Sequence, residues 1–169
     1  MFVDTNARIH ERIDHAYVDF LEWLIQCDLS RATASFESAK ELLMEHMKAE
    51  EGTLCPAFAE IHGEEHARLL KQIDGDHTIL LRSLTKVERC LGDLKAQFEP
   101  AKKEEDGPHV ALRRAIVLEM DTWVRVRNVL EHHTVREQRD FYPHFEGLPN
   151  SQRKRELLDA LQVSLRHED

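Results

Sequence analysis

The sequence predicts an all-α protein, an antiparallel up-down four-helix bundle with a short extra C-terminal helix. Three observations carry this. Apolar residues recur at spacings of three and four along four long stretches, the period of a helix with one buried face. Only 6 Gly and 5 Pro occur in 169 residues, so little punctuates those stretches. A charged fraction of 33% beside a hydrophobic fraction of 41% is the profile of a helix-rich globular domain, long enough to bury a core.

The first helix is predicted from about Asp4 or Thr5, either of which can cap it, to about Cys27. Its apolar face is Ile13, Tyr17, Phe20, Leu21 and Leu24. After an Asp28-Leu29-Ser30 turn, the second helix carries Phe36, Ala39, Leu43, His46, Glu50 and Thr53 along one stripe. The chain is expected to change direction around Pro56 and His62-Gly63. The third helix runs from about Glu64 to about Leu94, with Leu70, Ile73, His77, Leu81, Leu84 and Leu91 inward. Lys95 to Pro108 is the one long polar linker. The fourth helix begins near Pro108, a favourable first-turn residue. Its stripe is Leu112, Ile116, Glu119, Trp123, Val126, Leu130, His133, Glu137 and Phe141. Gly147-Leu148-Pro149-Asn150 breaks the chain. A fifth helix, about Ser151 to His167, presents Leu157, Leu158, Leu161 and Leu165. It either covers one face or supplies a homodimer contact. Residues 1–149 thus form the bundle and residues 150–169 the extra helix.

A net charge of −9 argues against nonspecific nucleic-acid binding, which needs a basic surface. Cys27, Cys55 and Cys90 are isolated and odd in number, and read as reduced thiols. No apolar run approaches the ~18–20 residues of a membrane span, and no signal-type segment opens the chain. A stand-alone cytoplasmic domain is the expectation.

Two segments hold the chemistry. His46 and His133 are each followed by Glu four residues later (Glu50, Glu137), an apolar residue at the eighth place and Pro at the tenth. Helical residues four apart share a face, so each segment offers an imidazole beside a carboxylate, a donor pair suited to a transition metal. The duplication makes two half-sites.

Helical phase sorts the 11 histidines. His46, His77 and His133 all lie in apolar stripes, and an antiparallel turn near His62 puts His77 level with His46. His66 shares the face of His77 but lies roughly 16 Å away along the axis, so it reads as a bundle-end histidine. On the first helix His10 falls on the apolar face. His15 falls beside Arg8, Glu11, Asp19 and Glu22, which would be buried with it at a cost. The Asp14-His15 pair nevertheless echoes Asp76-His77. His10 is preferred, with His15 left open. His132, Glu51 and Gln138 read as outer or solvated groups. His62, His109, His144 and His167 lie near helix ends and need no function. The candidate metal ligands are therefore His10, His46, Glu50, His77, His133 and Glu137.

Four His and two Glu exceed what one structural zinc needs and suit a pair of carboxylate-bridged ions, iron ahead of manganese or zinc. Over about residues 5–146 the sequence resembles hemerythrin-like proteins with the His-His-Glu cation-binding domain. The resemblance rests on His46-x-x-x-Glu50 with Leu54-Cys55-Pro56, on Asp76-His77-Thr78-Ile79-Leu80-Leu81, and on His133-x-x-x-Glu137 with Phe141-Tyr142-Pro143. It implies two non-haem iron ions with an oxo or hydroxo bridge inside an up-down bundle. Oxygen-carrying members place two His four apart on the third helix and use His-x-x-x-x-Asp on the fourth. Here Ile73 and Leu81 flank His77, and Glu137 stands at the fourth place. The chain therefore looks closer to members that handle iron or sense oxygen or nitric oxide.

The leading expectation is a metal-binding protein whose partner is a small diatomic molecule or peroxide. A catalase-like or iron-oxidising enzyme ranks second, because no acid–base residue stands out beyond the ligands. A structural interaction module ranks last. Cys55 and Tyr142 occupy equivalent places in the two segments and read as packing at the bundle end rather than as redox relays.

Overall fold

A computed structural model describes residues 1–98 and 108–162. Among them the secondary structure is helical throughout. α1 (Phe2–Ile25) and α2 (Leu29–Ala49) pack along each other. A π turn (Glu50–Leu54) leads into α3 (Cys55–His62), and a 3₁₀ turn (Gly63–His66) into the long α4 (Ala67–Phe98). α5 (Pro108–Leu118) and α6 (Met120–Arg136) are followed by a second π turn (Glu137–Phe141), α7 (Pro143–Glu146) and α8 (Ser151–Gln162). The long helices α1, α2, α4 and α6 lie side by side as a helical bundle. None of the described helices is long and apolar enough to cross a membrane.

The α1–α2 corner is local chemistry. Cys27 takes φ 60°, which lets its N–H reach the Leu24 carbonyl (2.9 Å) and the Asp28 N–H reach that of Trp23 (3.0 Å). The Asp28 carboxylate then accepts the Arg31 N–H (3.0 Å) and caps α2. Helix α2 therefore starts at Leu29, inside the expected turn. The Asn150 side chain does the same for α8, accepting from the Gln152 and Arg153 N–H groups.

Ile13, Tyr17, Phe20 and Leu24 are buried as the α1 stripe requires, and Tyr17 donates to the Trp123 carbonyl at 2.7 Å. In α4 the stripe runs through Leu69, Ile73, His77, Leu80, Leu84, Val87 and Leu91. Leu81, expected inward, is exposed, and Leu70 is only half-buried. The buried line passes through Leu69 and Leu80 in their place, with Ile73, His77, Leu84 and Leu91 inward as expected.

The expected fourth helix is two helices. The ladder breaks at Glu119, which is half-buried rather than a core member, and its carboxylate accepts from the Thr122 hydroxyl at 2.9 Å. The indole N–H of Trp123, fully buried, donates to the Ile116 carbonyl at 2.9 Å and substitutes for a lost backbone donor. No Gly or Pro marks the break in the sequence. The predicted Lys95–Pro108 linker is helix as far as Phe98, and its remainder, 99–107, lies outside the described residues. Leu157, Leu158 and Leu161 of α8 are buried, and α8 lies against α1, α2 and the first π turn, so that apolar face is covered within the chain. Leu165 lies outside the described residues.

Of the two places where a direction change is expected, it occurs at His62-Gly63 and not at Pro56. Pro56 sits in the first turn of α3, where its missing N–H costs nothing, whereas Gly63 has φ 57° and ψ −142°.

Candidate metal centre

Both duplicated segments fold identically after their Glu. The Cys55 N–H bonds to the Glu50 carbonyl, and the Tyr142 N–H to that of Glu137 (2.9 Å), each five residues back. These are π turns, and in each the Pro follows directly, where the α ladder is already interrupted. The wider turn holds more residues than 3.6, so the residue four after Glu returns to the core. Leu54 and Phe141 are fully buried, while Thr53, the α-phase expectation, is only half-buried. The apolar residue at the eighth place was the sequence signal for this shift.

Each π turn directs its Glu inward. His10 (α1), His46 and Glu50 (end of α2), His77 (α4), and His133 and Glu137 (end of α6) converge, none more than 4% exposed. They form two overlapping sets of donors, each lying within 4.8 Å of one another: His10, His46, His133 and Glu137, and Glu50, His77, His133 and Glu137. His133 and Glu137 belong to both. All six sequence candidates thus come together. His15 is exposed and outside the cluster, and Asp14 pairs with Arg127 at 2.8 Å on the surface. The echo of Asp76-His77 has no structural counterpart.

The contacts inside the cluster do not satisfy it. His77 Nε2 lies 3.2 Å from Glu50 Oε2, and His133 Nε2 lies 3.0 Å from Glu137 Oε1. All four atoms are nonetheless buried without a hydrogen-bond partner of adequate alignment among the described residues. His10 Nε2 and His46 Nε2 face each other at 2.9 Å. Lone pairs aimed at a common space, not at donors, are what a cation would satisfy and what is otherwise costly to bury.

The outer nitrogens support that orientation. Thr134 donates its hydroxyl hydrogen to the Leu130 carbonyl (2.8 Å), so it accepts from His10 Nδ1–H, leaving the His10 Nε2 lone pair facing inward. Glu51, half-exposed, accepts from His77 Nδ1–H at 2.8 Å, with the same consequence. His133 Nδ1 lies 3.7 Å from the Asp76 carboxylate, beyond hydrogen-bond distance, and that carboxylate pairs with Arg136. Outer partners such as Thr134 and Glu51 fix ring orientation and donor strength in metal sites. Glu51 thus serves as the outer group expected of it. Thr134 had no distinguishing sequence signal, since its role depends on a neighbouring helix. Half-buried Gln138 and exposed His132 lie away from the six.

Tyr142 does more than pack. It is fully buried, and its hydroxyl donates to Glu50 Oε1. Burial, then the Glu50 charge, pushes the phenol well above its ordinary range, so it stays an O–H donor. Cys55 is pushed up to about 12 by burial and by Glu50, which keeps it a thiol and not a thiolate ligand. Burial lowers His10 to about 4 despite Glu137. Burial also raises Glu50, reinforced by Glu137, whereas at Glu137 burial is outweighed by His133, His10 and His46, which hold it well below the usual range. A surface depression of about 500 Å³ between α1 and α6 is lined in part by His10 and Thr134.

Set against known protein families, curated proteins and solved structures, the chain matches none. The buried His/Glu cluster is therefore the evidence on which function rests, and it is a cluster able to hold metal ions.

Proposed function

We propose that this chain is a hemerythrin-like protein, an antiparallel up-down four-helix bundle holding two non-haem iron ions, which binds or reacts with a small diatomic molecule or peroxide. The observation that carries the reading is the pair of overlapping donor sets sharing His133 and Glu137. Imidazole and carboxylate donors without thiolate suit iron, with manganese or zinc behind it. Bound iron supplies one-electron redox chemistry and positions for a small ligand. The chain supplies the rest. Glu51 and Thr134 orient the His77 and His10 imidazoles, Asn6 donates to Glu137 (3.4 Å), and Leu54, Phe141 and Tyr142 keep that end of the site dry.

Equilibrium dialysis with ferrous iron under anaerobic conditions tests the proposal. Wild type should retain two irons, Glu137→Ala should lose both because both sets use it, and His77→Ala should lose one. Equal retention by all three would overturn it.

A catalase-like or iron-oxidising enzyme is the second reading, favoured by the Tyr142 hydroxyl against Glu50. Rapid peroxide turnover that disappears in a folded Tyr142→Phe variant loaded to the wild-type iron content would establish it.

A further inference from the structure

A second group of histidines lies outside the six-residue cluster. His62 ends α3, His66 ends the 3₁₀ turn that follows, and His144 lies in α7, just past the second π turn. The Gly63 conformation folds the chain back so that His66 comes over His62, while the Pro143 turn brings His144 to both. Ring centroids are 4.8 Å apart for His62 and His66, 4.4 Å for His62 and His144, and 5.0 Å for His66 and His144. Phe58 contacts all three rings. One nitrogen from each ring lies within 4.8 Å of the others.

Packing alone does not account for the arrangement. His62 Nε2 and His66 Nδ1 are buried and have no hydrogen-bond partner among the described residues. An apolar triad would fill the same space without stranding two polar atoms. Burial and the two neighbouring imidazoles lower His144, which favours the neutral, metal-binding form. A depression of about 390 Å³ opens beside His66 and His144, leaving one side of the group to solvent. Asp140, the carboxylate whose charge acts on His144, is occupied by Arg139 at 2.6 and 2.7 Å.

We infer that His62, His66 and His144 form a separate mononuclear site for a late first-row divalent cation, held by three neutral imidazoles with a water in the fourth position. Three nitrogens and an open position are a zinc-type donor set, distinct from the carboxylate-rich centre in the bundle. Such an ion would tie α3 and the 3₁₀ turn to α7 and clamp that end of the bundle.

Zinc is the probe. After dialysis of the full chain against zinc, wild type should carry one more equivalent than His62→Ala or His144→Ala, whatever the bundle centre holds, and His15→Ala should match wild type. Zinc should also raise the melting temperature of wild type more than that of His144→Ala. A measurement on wild type does not depend on how the variants fold: the imidazole Cε1–H NMR resonances of His62, His66 and His144 should shift together as zinc is added. Equal zinc content in folded variants, or three resonances unmoved by zinc, would overturn the inference.

Discussion

Replacing Tyr142 by Phe deletes a single hydroxyl from a fully buried site. The ring remains, and with it the edge-on contact to Phe141 at a centroid distance of 5.2 Å. What disappears is the O–H that donates to Glu50 Oε1, after which that oxygen keeps, among the described residues, the contact with His46 Nε2 at 3.4 Å. Burial raises the Glu50 carboxyl, so the lost bond ranges from neutral to charge-assisted with pH. The expected loss is about 1–3 kcal/mol, since the oxygen left behind stays desolvated. Urea unfolding of the metal-free chain measures it as a lower midpoint at unchanged slope. In the loaded chain, loss of a partner behind a ligand should weaken metal retention by about 10–100-fold. A stability change under about 0.5 kcal/mol together with unaltered retention would refute the assignment of Tyr142 as the support of Glu50.

His10→Ala should lower metal content, because the first donor set loses one of its four members, and should destabilise the metal-free chain through the cavity left in a fully packed cluster. His15→Ala should alter stability by no more than about 0.5 kcal/mol; elemental analysis and urea melts of the two variants compare them directly. Gly63→Ala should cost about 1–3 kcal/mol through the backbone alone, since a Cβ there meets nothing within 4 Å while φ is +57°. Thermal unfolding checks that loss, and a change within error would mean the turn relaxes.

Much of the candidate site was legible because helical phase and a duplicated motif are local signals. His46, His77 and His133 declare themselves by sitting where leucines should be, and His10 was separable from His15 by the charges that would have been buried with it. What was not legible depends on partners from elsewhere in the chain. Thr134 acquires its role only when α6 meets α1. The π turns were half visible, since the repeated Pro and the apolar residue at the eighth place were read, yet Thr53 was kept in the α-phase stripe where Leu54 belongs. The break at Glu119 was hidden because a side chain, the Trp123 indole, supplies the missing donor. The His62, His66 and His144 group escaped because its members come from different turns and join only through the Gly63 reversal and the second π turn.

The proposed redox-active pair of irons within the bundle can be read by elemental analysis of the chain purified without chelators, with absorption spectra recorded before and after reduction. The expected result is close to two irons per chain and near-ultraviolet absorption that bleaches on reduction. A chain that retains no iron and shows no chromophore, even after anaerobic iron reconstitution, would contradict it.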